Sequence, residues 1–287
     1  MKIKKIGVVG AGQMGTGIAQ TAIQFGYQVL LRDNSEELTK KSLSKIEKNL
    51  SRLVEKGKMT EEQKKGQLAL LQPSPDLRSL AQSDLVIEAI SENPKIKIEL
   101  FRELDKLAPK ETILASNTSS ISITMLGSVT SRPEQVIGIH FFNPVPVMKL
   151  VEVVRSLRTS DATFQTAMGL AESMGKTPVS VKDSPAFVVN RILLPMINEA
   201  IYVLQEGITD AKGIDSAMKM GCNHPMGPLE LADFVGLDTI LAVLEVLYQD
   251  MGNAKYHPAP LLRKYVEAGW LGRKSGRGFF DYSEQKQ

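Results

Sequence analysis

The chain has 287 residues, 43% of them hydrophobic, a single cysteine and a formal net charge of +3. That length holds one large core or two smaller ones, with two the expected count, and 35 basic residues interleaved with 32 acidic ones exclude an overall nucleic-acid-binding surface in favour of a small ligand. With Cys222 alone, an intramolecular disulfide and any multi-cysteine metal site are excluded, no metal is expected, and a reducing compartment, by default the cytoplasm, fits best.

The opening MKIKKIGVVGAG has the charged start of a signal peptide, but its apolar run breaks at glycines within a few residues and no membrane-length segment follows. It reads as a first strand, Ile6 to Val9, leading through Gly10-Ala11-Gly12-Gln13-Met14-Gly15 into a helical stretch. Gly10 permits a tight turn, Gly12 a close approach to a pyrophosphate at the helix N-terminus, and Gly15 close packing of helix on strand. A second strand, Tyr27 to Asp33, ends in an acid 18 residues after Gly15. This context strengthens an otherwise weak G-x-G-x-x-G signal, whose alternative is a glycine turn that binds nothing. Asp33 would accept from the adenosine ribose hydroxyls and repel a 2′-phosphate, favouring NAD over NADP, although Arg32 beside it pulls the other way.

Residues 36–65 are charged and helical in period. Leu43, Ile46, Leu50 and Leu53 share one face, while Lys41, Lys45, Lys48, Arg52 and Lys56 form a cationic stripe on the other. The stripe is either a solvated face or a handle for a phosphorylated substrate. Gly57 and a second helix, about Thr60 to Leu70, make a helical hairpin insertion near 38–70. Strand Asp84 to Ile90 is followed by Glu92, Asn93 and a helix from Pro94 to Leu107 with Lys97 just inside it. Strand Thr112 to Ala115 opens into Ser116-Asn117-Thr118-Ser119-Ser120. These polar residues either cap a helix near Ile121 or, at the sheet's carboxyl edge, line a ligand site, with Asn117 and Ser119 favoured for the second role.

The run Val136-Ile137-Gly138-Ile139 is a buried strand that delivers His140 to its carboxyl end. Pro144 and Pro146 then bar a helix, and Leu150-Val151-Glu152-Val153-Val154 sets one carboxylate among apolar neighbours. Such a carboxylate needs a partner, and His140 is the nearest candidate, giving a general-base arrangement; the plain alternative is a strand-end histidine and a solvated glutamate. A helix (162–174) and a strand (178–181) complete the sheet. At Lys182-Asp183-Ser184-Pro185, Ser184 is expected to cap a long apolar helix from Ala186 to Gln205, followed by helices near 210–220, 229–234, 237–251 and 260–268. A helix apolar on most sides in a small domain calls for a partner subunit, so a homodimer is expected. His224 and His257 lie in proline-rich turns without companion ligands and read as structural. The fold class is α/β: a Rossmann-type doubly wound sheet over 1–183 and an all-helical domain over 184–287.

Taken together, GAGQMGTGIAQ, SNTSS, GIHFFNPVPVMKLVEVV, KDSPAFVVNR and GRKSGRGFFDY resemble the L-3-hydroxyacyl-CoA dehydrogenase family over nearly the whole chain. The length is most like that of its bacterial single-function members that act on 3-hydroxybutyryl-CoA. The resemblance implies reversible, NAD-dependent oxidation of a short-chain (S)-3-hydroxyacyl-CoA in a cleft between a Rossmann domain and a helical dimerisation domain. It implies that His140 is the base, that Glu152 orients it, and that Ser119 and Asn190 hold the thioester and hydroxyl. It also places Asp33, Glu92, Lys97, Ser119 and Asn143 around NAD, and Lys56 with Arg52 on the CoA phosphates. Two other functions compete: a dehydrogenase of a free hydroxy or sugar acid, which needs no basic stripe, and a non-catalytic dinucleotide-binding protein, which would bind NADH without turnover.

Overall fold

The computed structural model describes residues 2–283, and the chain divides after Phe187 into two compact units. The first unit carries one eight-stranded sheet. In chain order its elements are β1 (Lys5–Val9), α1 (Gln13–Gln24), β2 (Gln28–Arg32), α2 (Glu36–Glu55), α3 (Glu61–Ala69), β3 (Leu71–Ser74), β4 (Leu85–Glu88), α4 (Pro94–Leu107), β5 (Ile113–Ser116), α5 (Ile123–Ser128), β6 (Val136–Phe141), β7 (Leu150–Arg155), α6 (Asp161–Ser173) and β8 (Thr177–Lys182). The strand order is β3-β2-β1-β4-β5-β6-β7-β8, parallel throughout except for β6 against β7.

The central strands are apolar at nearly every position because helices cover both faces. Alternation sends Ile6, Val8, Val29, Leu31, Leu85, Ile87, Ile137 and Ile139 into one core with Ile18 of α1, Ile46 and Leu50 of α2 and Leu170 of α6. It sends Leu30, Val86, Leu114, Val136 and Val154 into a second core with Leu100, Phe101 and Leu104 of α4 and Ile123 and Leu126 of α5. On α2, Ile46 and Leu50 are buried and Leu43 and Leu53 pack against the first core, which leaves the cationic stripe outward. One strand has no counterpart in the sequence reading. β3 is a four-residue edge strand containing Pro73, which pairs only with β2 and so needs neither alternation nor a full set of N–H donors.

The second unit consists of α7 (Val189–Gln205), α8 (Ala211–Gly221), α9 (Pro228–Val235), α10 (Leu237–Met251) and α11 (Pro260–Glu267). Buried polar side chains tie it together. Asn198 of α7 donates to the His257 carbonyl at 3.0 Å and accepts from the Ala259 amide at 2.9 Å. Asp215 of α8 accepts from the Leu229 and Glu230 amides of α9, each at 2.9 Å. Asp233 accepts from the Phe279 and Phe280 amides at 2.9 Å, closing the C-terminal segment onto α9. His257 meets the Tyr248 ring edge-on at 5.2 Å, a packing role.

The expected start of the long helix is corrected. Ala186 and Phe187 take φ of 58° and 54°, a left-handed turn that a right-handed helix cannot contain, so the helix begins at Val189 with Val188 rather than Ser184 as its N-cap. No helix among the described residues is long and apolar enough to cross a membrane.

Candidate active site

The glycine loop builds the first part of the site. Gly10 sits at φ +105° with a would-be Cβ 2.5 Å from the Ala89 carbonyl oxygen, and a Cβ on Gly15 would fall 1.7 Å from the Gly10 carbonyl oxygen. Only glycine fits at either place. Gly12, in contrast, faces open space and is the N-cap of α1 without a side-chain cap, so the first-turn amides of α1 are left for an anion. At the end of β2, Asp33 accepts from the Ala11 amide at 2.7 Å and from the Ser35 amide at 2.9 Å. A cavity of about 650 Å³ opens here, lined by Gly10, Gly12, Gln13, Met14, Arg32 and Asp33 and walled by apolar Leu38, Ile90, Ile96 and Leu100. An uncapped helix N-terminus for phosphates, an acid for a ribose diol and apolar walls for a ring fit a dinucleotide such as NAD.

The second part lies on β6 and β7. Alternation along β6 puts Val136, Gly138 and His140 on one face, and the antiparallel register sets His140 directly opposite Glu152. The His140 Nδ1 lies 2.8 Å from Glu152 Oε2, with the histidine side chain 9% and the glutamate side chain 1% exposed. Nε2 carries no hydrogen bond among the described residues. Phe142 and Phe187 wall the imidazole at ring distances of 4.5 and 5.7 Å, and the left-handed turn at 186–187 is what presents Phe187 there. Beyond β6, Asn143 accepts from Gln13 Nε2 at 3.1 Å, which joins the histidine strand to the glycine loop. The following turn is held by Lys176, whose ammonium donates to the Val145 and Met148 carbonyls at 2.5 and 2.9 Å; burial lowers its pKa.

The third part is the polar loop after β5. Glu88, fully buried at the end of β4, accepts from Lys97 Nζ at 2.5 Å, Ser116 Oγ at 2.5 Å and the Ile90 amide at 2.8 Å. Lys97 also reaches Glu92 Oε2 at 3.0 Å. The other oxygen of Glu92 accepts from the Thr118 hydroxyl, the Ser119 amide at 3.0 Å, and the Ser120 amide and hydroxyl at 3.2 and 3.0 Å. Burial pushes the Glu92 carboxyl up, but Lys97, the Thr118 hydroxyl and the Ser119 amide together hold it below the ordinary glutamate value. The loop is thus gathered on one carboxylate, with the Ser119 hydroxyl carrying no hydrogen bond among the described residues, and Asn117 Oδ1 accepts from the Phe141 amide at 2.9 Å. The cap of α5 is Ser122, helped by Asp183, which accepts from Ser122 Oγ and from the Ile123 and Thr124 amides.

A family model described as "3-hydroxyacyl-CoA dehydrogenase, NAD binding domain" matches residues 5–184, and one described as the C-terminal domain of 3-hydroxyacyl-CoA dehydrogenase matches residues 187–282. The chain belongs to the 3-hydroxyacyl-CoA dehydrogenase family. It is 53% identical to the 3-hydroxybutyryl-CoA dehydrogenase of Bradyrhizobium diazoefficiens over 99% of this chain and 97% of that one, and 49% identical to the 3-hydroxybutyryl-CoA dehydrogenase of Clostridioides difficile over 98% and 100%. Among solved structures, the (S)-3-hydroxybutyryl-CoA dehydrogenase of Ralstonia eutropha matches with a TM-score of 0.95 at 50% identity, covering 98% of this chain and 99% of that one.

Within this 3-hydroxyacyl-CoA dehydrogenase chain, the first unit brings together Gly10 to Gly15, Asp33, Glu92, Lys97, Asn117, Ser119, His140, Asn143 and Glu152. Lys97 is 1% exposed and enclosed between two carboxylates, so it holds Glu92 rather than facing solvent. Arg52 and Lys56 are exposed, Arg52 in the last turn of α2 and Lys56 as its C-cap. Asn190 stands in the second unit, in the first turn of α7. Sequence reasoning gave no site role to Glu88, Lys176, Asp183 or Phe187, and within Ser116–Ser120 it favoured Asn117 and Ser119 over Thr118. Glu88 left a signal: an acid closing the apolar strand LVIE needs a cation, and Lys97 is the first buried one downstream.

Proposed function

We propose that the chain oxidises (S)-3-hydroxybutyryl-CoA and other short (S)-3-hydroxyacyl-CoA thioesters reversibly to the 3-ketoacyl-CoA. The observation that carries the chemistry is the buried 2.8 Å pair of His140 Nδ1 and Glu152, with the histidine strand tied to the glycine loop by the Gln13–Asn143 hydrogen bond. In the oxidative direction Glu152 accepts from Nδ1–H, which fixes the tautomer and leaves the Nε2 lone pair to take the hydroxyl proton. Glu152 then stabilises the imidazolium, and the same proton returns in the reductive direction. NAD, when bound at the glycine loop, supplies the hydride acceptor. Ser119, Asn190 and the walls of the site orient the thioester and the hydroxyl, and Arg52 with Lys56 meet the CoA phosphates. The substrate assignment is supported by the names of full-length relatives.

In this reading residues 1–183 form the NAD-binding domain, residues 184–287 form the substrate and dimerisation domain, and the protein works in the cytoplasm as a homodimer. The test is NADH oxidation with acetoacetyl-CoA, compared with longer 3-ketoacyl-CoAs and with free acetoacetate. Turnover highest on acetoacetyl-CoA is expected. Equal or better turnover of the free keto acid would replace the reading with a free hydroxy acid dehydrogenase, and NADH binding without turnover would reduce it to a dinucleotide-binding protein.

A further inference from the structure

One cation of the dinucleotide cavity has no task in the function just proposed. Arg32 closes β2 beside Asp33 and lines the cavity. Its guanidinium makes no hydrogen bond or ion pair among the described residues, and its Nε is buried without a partner. The carboxylates that line the same cavity are Asp33, Glu99 and Glu103, and none of them pairs with it. Asp33 instead spends one lone pair of each oxygen on backbone amides, Ala11 on Oδ2 and Ser35 on Oδ1, which fixes the direction of the lone pairs that remain.

A buried N–H without an acceptor is costly, and a guanidinium is the side chain best matched to a phosphate, which it grips through parallel N–H donors. The ribose end of the cavity therefore holds two opposed groups side by side: an acceptor suited to a 2′-hydroxyl and a free cation suited to a 2′-phosphate.

We propose that Arg32 is a specificity-determining residue: it forms a seat for the 2′-phosphate of a phosphorylated dinucleotide, and the charge of Asp33 beside it keeps that seat closed. The chain is then an NAD enzyme with measurable NADP(H) acceptance, one substitution away from accepting the phosphorylated cofactor well. This rests on the reading of the cavity as the NAD seat, but not on the acyl-CoA substrate.

The experiment titrates the full chain with adenosine 2′,5′-bisphosphate and with adenosine 5′-monophosphate by calorimetry. Asp33→Asn should raise affinity for the bisphosphate relative to the monophosphate about ten- to a hundredfold, the span of a charge-assisted hydrogen bond gained. Arg32→Gln in the same background should remove that gain, and the gain should shrink with added salt. The ratio of kcat/KM for NADPH over NADH should move in parallel.

An equal gain with and without Arg32 would overturn the proposal, as would Arg32→Gln weakening both nucleotides alike. Should Asp33→Asn fail to fold, because Asp33 holds two backbone amides, Arg32→Gln alone decides: it must lower bisphosphate affinity severalfold more than monophosphate affinity. Neither nucleotide binding to the unaltered chain would also overturn it. Absence of acetoacetyl-CoA turnover with the nucleotide discrimination intact would instead count against the proposed substrate and leave Arg32 in place.

Discussion

At the scale of single residues, the site rests on two carboxylates with different duties. In the proposed mechanism Glu152 acts through the imidazole of His140, 2.8 Å away, so removing both should cost little more than removing the histidine. His140→Gln should lower kcat by about 10²–10⁴, the usual worth of a general base, with NADH affinity retained. Glu152→Gln should lose less, and the double variant should match His140→Gln within a few-fold. Strictly multiplicative losses in steady-state kinetics would show that Glu152 acts on something other than the base. Glu92 serves the Ser116–Ser120 loop. Its carboxyl is held below its ordinary value of 4.5, so its contribution to stability is complete above that pH and is lost as pH falls through the folded-state pKa. Urea unfolding of wild type and Glu92→Gln at a series of pH values should show a gap at neutral pH that closes only below pH 4.5. A gap independent of pH would mean that Glu92 is held by geometry and not by its charge.

At the scale of elements, the strand–glycine–helix opening was legible because each of its glycines answers a local steric demand, and the apolar strands because two covered faces leave no room for polar residues. The His140–Glu152 register was only half legible: both residues could be singled out, but an irregular turn from Phe142 to Lys149 joins their strands, and nothing local dictates which residues come opposite across it. β3 was hidden by its shortness and Pro73, and the helix start at Val189 by a left-handed turn made of Ala and Phe, residues with no preference for it. The loop gathered on Glu92 was hidden as well, since its contacts join residues 26 to 28 positions apart. The stripe on α2 was legible as a pattern but not as a function. Lys40 and Lys41 are matched by Glu36 and Glu37 one turn back, at 3.5 and 3.9 Å, while Lys45, Lys48, Arg52 and Lys56 have no partner among the described residues. If its C-terminal end is the CoA handle, the Arg52→Ala, Lys56→Ala double variant should raise KM for acetoacetyl-CoA about three- to thirtyfold with kcat nearly unchanged, more at low ionic strength. Acetoacetyl-pantetheine, which lacks those phosphates, is the control; an equal loss on it would refute the handle.

At the scale of the whole molecule, the second unit leaves apolar side chains uncovered in the single chain. Leu194, Ile197 and Ile201 of α7 are buried, but Ile192 on the same helix is 68% exposed, Ile208 is 67% exposed and Met220, near the end of α8, is 81% exposed. Side chains of this size exposed singly are ordinary, and Ile192, on a helix whose other apolar residues are buried or half-buried, is the one on which the proposed homodimer is best tested. A two-fold interface repeats every contact, so a substitution within it counts twice. Losing the burial of one isoleucine on each side costs about 3–6 kcal/mol, or roughly two to four decades in the dimer dissociation constant. If Ile192 lies in the proposed homodimer interface, Ile192→Glu adds the desolvation of a charge on each side, so it should weaken association by at least those decades. Sedimentation velocity from nanomolar to micromolar concentration measures it directly, with Leu157→Glu as the control, since that side chain is 90% exposed and belongs to the first unit. A wild-type chain that sediments as a monomer at every concentration, or an Ile192→Glu variant that dimerises as tightly as the control, would show that these side chains face solvent in the working protein.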